Sequence, residues 1–376
     1  MGKYWIFVFN VLSFVLADVN TCIVPYKKNI IMKTIKKGIL ILALLMLILT
    51  AYAQKTLPEK ITAKVLNTEF IYEIASFRSC HASTVLETDE GILTAWFGGT
   101  GEGRPDVCIY TSINKNGKWG SPEMVADGIM NDTLRYPCWN PVLFKKDNGD
   151  IILFYKVGPS PREWWGMYKI SKDNGISWSE KVKIPDGFLG PIKNKAVKLK
   201  NGTILYPTSI ETKENWNIYV ETSDQGLNNW RKTKIDNSGF NAIQPTILFY
   251  KGGKIQMLCR SREKSIVETW SKDQGKTWSP VKATTLINNN SGIDAVSLDN
   301  GLQLLICNPI ESGRNKVNIL ASIDGKDWKE IIVLEDQPKG EFSYPAIIKG
   351  KDGTIHVTYT YNRVKIKYVH LEISGK

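Results

Sequence analysis

The segment Ser271-Lys272-Asp273-Gln274-Gly275-Lys276-Thr277-Trp278 has a counterpart one hundred residues earlier, Ser171-Lys172-Asp173-Asn174-Gly175-Ile176-Ser177-Trp178. Looser copies of the same Ser-x-Asp-x-Gly-x-x-Trp pattern end at Trp119, Trp230 and Trp328. An Asp side chain can accept hydrogen bonds from the backbone of a tight turn, and a Trp ring can pack against the adjoining sheet. The recurrence therefore predicts a repeated β-hairpin unit.

A second repeat, half a period out of phase, couples a polar turn to an apolar strand. Its six copies centre on Gly91, Gly149, Gly202, Gly253, Gly301 and Gly353, which lie 48 to 58 residues apart. Glycine at such turns supplies the positive φ of a tight hairpin. Units of roughly 50 residues suit four-stranded propeller blades. We predict an all-β, six-bladed β-propeller closed by an N-terminal strand within Ile61–Tyr72. A β-sandwich is the alternative, but it gives no reason for a sixfold repeat.

The N-terminus reads as a processing segment. From Met32, three lysines precede an apolar run and the sequence Ala51-Tyr52-Ala53, which is typical of a signal peptide cleaved near Ala53. The apolar run is short for a membrane anchor, which is the alternative. We therefore divide the chain into an upstream extension (1–31), a signal peptide (32–53) and a propeller (54–376), and expect a secreted or periplasmic protein.

Composition excludes several classes of function. Residues 1–53 hold six Lys and one Asp, so the net charge falls from +12 to +7 in the remaining chain. The remaining Lys and Arg are scattered, which argues against nucleic-acid binding but suits an anionic substrate. The five cysteines after Cys22 have no Cys-x-x-Cys spacing, and with three histidines they indicate neither a disulfide framework nor a metal centre. No cofactor is called for.

Blade geometry selects a candidate face without any comparison. In a propeller, the inner strands all begin on one face. The connections that follow the second strands lie on the same face. Inner-strand starts contribute His81, Asn140, Lys193, Gln244, Asp294 and Tyr344, and the connections contribute Arg104, Asp106, Arg162, Trp164, Trp165, Arg260, Arg262 and Arg314. The face is rich in arginine, whose planar fork pairs with a carboxylate. The tryptophans could stack on sugar rings or pack between blades.

Over roughly residues 70–370 the pattern resembles sialidases, six-bladed propellers with Asp-box turns and three arginines that hold a substrate carboxylate. The resemblance implies that Arg260 and Arg314 are the second and third arginines and that Asp106 is the acid. Three departures stand out. The first arginine is replaced around His81, the nucleophilic Tyr position is assigned to Phe342, and the activating Glu corresponds to Gln244. Phe has no nucleophilic atom and Gln is not a base.

Three functions stay open. A neutral His81 could act as base, with Tyr344 or Asp106 as proton donor and Arg260 with Arg314 as the carboxylate clamp, in β-elimination at a terminal uronic acid of an ulvan-type oligosaccharide. Propellers of this broad group that act on uronates resemble the chain in this respect. A sialidase-like exo-glycosidase using Asp106 and water is the second function, and a non-catalytic glycan-binding propeller is the third.

Overall fold

The computed structural model describes Thr34, residues 37–42 and residues 61–375. The upstream extension lies outside this part of the chain, as does most of the predicted signal peptide. Contacts separate the chain after Thr56, and the second unit, Leu57–Lys376, contains the propeller. No helix in the described part of the chain is long and apolar enough to cross a membrane.

The first three blades follow one another along the chain. The first strand among the described residues is β1 (Ile61–Phe70). Blade 1 comprises β2 (Ser79–Glu87), β3 (Ile92–Gly99), β4 (Cys108–Lys115), β5 (Lys118–Trp119) and β6 (Glu123–Ala126). Blade 2 comprises β7 (Cys138–Lys145), β8 (Ile151–Val157), β9 (Trp165–Ser171) and β10 (Val182–Lys183). Blade 3 comprises β11 (Val197–Lys198), β12 (Ile204–Glu211), β13 (Trp216–Ser223) and β14 (Arg231–Lys234).

The remaining blades complete the ring. Blade 4 comprises β15 (Ala242–Phe249), β16 (Ile255–Ser261), β17 (Ser265–Ser271) and β18 (Lys282–Ile287), with a 3-10 turn at Lys251–Gly253. Blade 5 comprises β19 (Asp294–Ser297), β20 (Gln303–Cys307), β21 (Lys316–Ser322) and β22 (Lys329–Asp336). Blade 6 comprises β23 (Phe342–Lys349), β24 (Ile355–Tyr361) and β25 (Lys365–Gly375), and β1 pairs antiparallel with β25 as its outermost strand. The prediction of a six-bladed propeller is therefore confirmed.

The predicted hairpin glycines sit where the backbone requires them. All six have positive φ, from 76 to 135°. These turns connect the first and second strands of every blade, so the repeat read from the sequence is the repeat of the fold. At Gly91 a Cβ would lie 1.9 Å from the carbonyl oxygen of Asn114, so this position excludes any larger residue.

The hydrophobic core is divided among the blade interfaces. Each adjacent pair of blades shares one cluster of buried apolar side chains, and the cluster of Tyr72, Trp96 and Tyr368 joins blade 6 to blade 1. The inner strand β2 contacts both β7 and β23, which closes the ring. The five described cysteines are buried and unpaired within these clusters and at their edges. Burial of apolar surface between neighbouring blades thus holds the six blades together.

The Ser-x-Asp turns lie at the opposite end of the strands from the candidate face. Asp273 accepts hydrogen bonds from the backbone N–H of Thr277 at 2.9 Å and from its hydroxyl at 2.5 Å, and Asp173 does the same with Ser177. The Trp278 indole N–H donates to the Gly275 carbonyl at 3.0 Å. The hydrogen bonds from the Thr277 hydroxyl and N–H lower the pKa of Asp273 to about 2. These carboxylates therefore serve the turns.

We predict that Asp273→Ala lowers the free energy of unfolding by about 1 kcal/mol at pH 7, because the turn loses its acceptor. The pKa of Asp273 is depressed in the folded state, so its contribution is complete above about pH 4 and is lost as the pH falls toward 2. Urea denaturation at pH 7 and pH 3 should show the gap to the wild type narrowing in acid. Asp132→Ala, in an exposed loop, is the control, and an equal loss at both pH values would contradict the assignment.

Candidate functional site

Four inner strands are interrupted at equivalent places near their starts. The pairing with the second strand shifts between His81 and Thr84, Trp139 and Val142, Ile243 and Thr246, and Ser343 and Ala346. Each bulge contains a non-glycine residue with positive φ: Ala82 at 56°, Asn140 at 37°, Gln244 at 52° and Tyr344 at 53°. A bulge adds an unpaired residue and re-aims the side chains around it. The bulges thus decide which side chains reach the centre of the ring.

Tyr344 stands where several blades meet. Its hydroxyl accepts hydrogen bonds from Arg260 Nη1 at 2.8 Å and from Gln244 Nε2 at 3.2 Å. Its ring lies 4.1 Å from that of His81, centroid to centroid. The guanidinium carbon of Arg314 lies 5.7 Å from the ring centroid. Side chains of blades 1 and 4, and of the blade 5 loop before β21, therefore converge on one phenol of blade 6.

The assignment of Phe342 to the tyrosine position was wrong. Phe342 is 1% exposed and packs against Tyr361, with ring centroids 4.9 Å apart, in the core between blades 5 and 6. The bulge inserts Tyr344 as an extra residue, so the phenol of Tyr344 meets Arg260, Gln244 and His81 instead. Regular strand alternation does not hold across a bulge.

Arg260 is a buried cation with neutral partners. It is 6% exposed and donates to Asn290 Oδ1 at 2.8 Å, to Gln244 Oε1 at 3.2 Å, to the Tyr344 hydroxyl and to the Asn290 carbonyl. Within residues 61–375 it forms no ion pair. Buried charges in proteins are normally paired. The positive charge of Arg260 therefore has no ion-pair partner among the described residues, and it lies beside the Tyr344 hydroxyl.

Arg314 shares a carboxylate with an arginine that the sequence analysis did not single out. Glu341 Oε1 accepts from Arg314 Nη1 at 2.9 Å and from Arg363 Nε at 2.6 Å, and Arg363 also pairs with Glu102 at 2.6 Å. Burial raises the pKa of Glu341, but Arg363 and Arg314 outweigh it and the pKa is lowered. Arg363 lies in the connection after β24, and blade geometry places that connection on this face. Its position was therefore predictable from the sequence, although its ion pairs were not.

His81 lies together with both predicted clamp arginines. It is 1% exposed, Nδ1 is 2.9 Å from Thr360 Oγ1, and Nε2 has no hydrogen-bond partner among the described residues. Burial, then the charges of Arg363, Arg314, Arg260 and Lys193, hold its pKa well below the usual range. The imidazole is therefore neutral. It is covered by the Tyr344 ring, so that Nε2 is not reached by solvent.

Two other predicted substrate contacts serve the ring itself. Both oxygens of Asp294 are fully used, Oδ1 by Thr246 and the Ala295 N–H, and Oδ2 by Lys195 and the Ile347 N–H. Lys193 is 3% exposed and donates to the Ile293 carbonyl at 3.0 Å and to the Pro345 carbonyl. Burial lowers the pKa of Lys193 to about 7, which nearby Asp294 partly offsets. Asp294 therefore ties the inner strands of blades 3 to 6 together, with no oxygen left for a substrate.

The loop that carries Asp106 and Arg104 lies at the edge of the site. Asp106 accepts from the Thr100 N–H at 2.7 Å and the Thr100 hydroxyl at 2.8 Å. Partial burial raises the pKa of Asp106, but the two Thr100 hydrogen bonds and Arg135 prevail and the pKa is lowered. An ionised carboxylate that orders its own loop is poorly suited to donate a proton. Arg104 is exposed and Asn140 is buried at its bulge.

The remaining predicted contacts lie outward, on blades 2 to 4. Trp164 packs edge-on against Trp139 at 6.0 Å, and Arg262 stacks 3.9 Å above the Trp216 ring. Sequence reasoning missed Glu211 at the end of β12. Burial raises the pKa of Glu211, and the charges of Arg260, Arg262 and Arg162 offset only part of this. These side chains border the central cluster without contacting Tyr344.

Solved structures of the same fold include sialidases. The chain is 17% identical to a protein of unknown function from Dyadobacter fermentans, with a TM-score of 0.69, covering 83% of this chain and 99% of that one. It is 13% identical to the NanB sialidase from Streptococcus pneumoniae, with a TM-score of 0.67 and coverage of 81% and 70%. It is 14% identical to the intramolecular trans-sialidase from Ruminococcus gnavus, with a TM-score of 0.63 and coverage of 81% and 97%.

The family assignment rests on the sequence itself. None of the curated proteins matches the chain. Residues 90–357 match the BNR repeat-like domain, a span from the first hairpin glycine to the second strand of blade 6. This chain belongs to the BNR repeat-like domain family.

Proposed function

We propose that this protein is a carbohydrate-active enzyme that binds a carboxylate-bearing sugar at the centre of the propeller. The observation that carries the proposal is Arg260, a residue only 6% exposed whose hydrogen-bond partners among the described residues are all neutral. A ligand carboxylate would supply the missing anion through charge-assisted hydrogen bonds. Arg314, at 24% side-chain exposure and beside the same phenol, is the second group of the clamp.

The reaction that the site suits best is β-elimination at a uronic acid. Pairing the carboxylate with Arg260 and Arg314 offsets the charge that develops when the neighbouring C5–H is broken. In the proposed sequence, the ionised Tyr344 oxygen takes the C5 proton and the C5–H electron pair forms the C4–C5 double bond. The C4–O bond breaks and the departing oxygen takes the same proton from Tyr344. Arg260 Nη1 donates to the phenolic oxygen at 2.8 Å, which places a positive charge beside the group that transfers the proton.

This assignment moves proton transfer from His81, the predicted base, to Tyr344. Tyr344 is half-buried and His81 is enclosed beneath it. A proton-transfer group has to come within hydrogen-bond reach of the substrate. His81 keeps the Tyr344 ring in place as a neutral, uncharged neighbour among four cations, where an imidazolium would repel them.

Hydrolysis is the second candidate, since several proteins with this fold are sialidases. The placement of Tyr344 on the last inner strand favours it. The partner of the phenol argues against it, because the hydroxyl is contacted by the Gln244 amide, which cannot accept a proton. We also propose that the protein is exported, on the basis of the signal-peptide pattern in residues 32–53.

We predict that Arg260→Met weakens binding of a uronate-terminated oligosaccharide by about 10- to 100-fold, the effect of losing a charge-assisted hydrogen-bonding pair. Titration calorimetry on the chain from residue 54 would measure it. Arg231→Met, on the exposed outer strand of blade 3, should bind as the wild type does. An oligosaccharide whose carboxyl group is reduced to an alcohol should bind weakly to all three proteins. Tight binding of that neutral sugar to the wild type would refute the carboxylate clamp.

We predict that Tyr344→Phe lowers kcat by about 100- to 10,000-fold, as expected for loss of an acid–base group, while the Kd of the same oligosaccharide changes little. Turnover is followed by the ultraviolet absorbance of the new C4–C5 double bond and by product mass. Free sugar released without absorbance would replace elimination by hydrolysis. Tight binding with no turnover in the wild type would leave a glycan-binding protein.

A further inference from the structure

A cavity of about 260 Å³ lies between blades 2 and 3, and its lining reaches from the ends of their second strands to the outer strands β10 and β14. Its lining includes five aromatic and aliphatic side chains and one arginine: Pro161, Trp164, Trp165, Phe188, Ile210 and Arg162. The volume is below the roughly 300–1,000 Å³ of pockets that enclose a drug-sized ligand, so the cavity suits a smaller group such as one sugar ring. We call it the blade 2–3 cleft.

The cleft and the central site lie on the same face of the ring. Trp165 begins β9, and Ile210 is the penultimate residue of β12, so both lie at strand ends that open on this face. Trp164 in the wall of the cleft packs edge-on against Trp139 at 6.0 Å, and Trp139 belongs to the bulged inner strand β7. The wall of the cleft is therefore continuous with an inner strand of the central ring.

The charges of the cleft select an anionic ring. Lys183 pairs with Asp186 at 2.5 Å and Lys232 pairs with Glu221 at 3.0 Å. Arg162 forms no ion pair within the described part of the chain, and its side chain lines the opening. Trp165 is half-buried and packs edge-on against Tyr136 at 5.5 Å, whereas Trp164 is nearly enclosed. An unpaired guanidinium beside an accessible indole suits a sugar that carries a carboxylate or sulfate.

We infer that the blade 2–3 cleft is a second subsite, which holds an anionic sugar residue adjoining the one bound at Arg260. This inference rests on the proposed function, since the sugar chain has to be anchored at the central site. It assigns Arg162 to the anionic substituent and Trp165 to the ring. It also makes the natural ligand an acidic oligosaccharide with charge on more than one residue.

The test compares binding of a uronic acid monosaccharide with binding of uronate-terminated tetrasaccharides, measured by calorimetry on the chain from residue 54. The wild type should bind an acidic tetrasaccharide at least about tenfold more tightly than the monosaccharide. Arg162→Ala and Trp165→Ala should each raise the Kd of the acidic tetrasaccharide about tenfold. Neither variant should change the Kd of the monosaccharide. Trp165→Phe keeps an aromatic ring and should retain most of the gain, and Arg231→Ala should retain all of it.

Two tetrasaccharides, carrying either carboxylate or sulfate on the second residue, identify the anion. A third, neutral at that residue, should be insensitive to Arg162→Ala. Equal wild-type affinity for monosaccharide and tetrasaccharide, or an equal loss on both ligands in the variants, would overturn the subsite while leaving the central clamp standing. Failure of the wild type to bind the monosaccharide and every tetrasaccharide would overturn the proposed function as well.

Discussion

The bulge at Tyr344 is the constraint on which the site depends. A regular strand would alternate side chains between the two blade faces and leave none aimed along the ring axis. Positive φ at Tyr344 breaks this alternation, so the phenol meets His81 of blade 1 and Arg260 of blade 4. A bulky residue in this region of φ carries backbone strain, which persists only where its surroundings fix it. Here hydrogen bonds to the phenol from Arg260 and Gln244 do so.

The architecture was readable from the sequence because it rests on local chemistry. Hairpin glycines need positive φ and Ser-x-Asp turns need a short hydrogen-bond acceptor, whatever surrounds them. The turns at Gly353 and Asp273 could therefore be predicted from the sequence alone. The grouping of His81, Arg260 and Arg314 also followed, since blade geometry brings the starts of inner strands and the connections after second strands to one face. The assignment of Phe342 failed because a bulge is a departure from periodicity, and no residue pattern before Tyr344 announces it.

The roles of the charged residues were beyond sequence reasoning for a different reason. Arg260 and Arg314 look equivalent in the sequence, but Arg314 forms an ion pair with Glu341, and Arg260 forms none among the described residues. Asp294 and Asp106 are both acids near the site, yet Thr246 and Lys195 saturate the first and Thr100 holds the second. Partners of this kind come from other blades or from loop conformation, so their identity depends on the assembled ring.

The six blades differ in whether their inner strands carry a bulge. Blades 1, 2, 4 and 6 carry the bulged inner strands, whereas blades 3 and 5 contribute Lys195 and Asp294, the 2.7 Å pair that binds inner strands together. Concentrating Arg260, Arg314, Arg363 and Lys193 around His81 is unfavourable through mutual repulsion. The carboxylate of Asp294, paired with Lys195, offsets part of that cost, and it forms no ion pair with Arg260. The proposed carboxylate ligand would supply the anion that Arg260 lacks among the described residues.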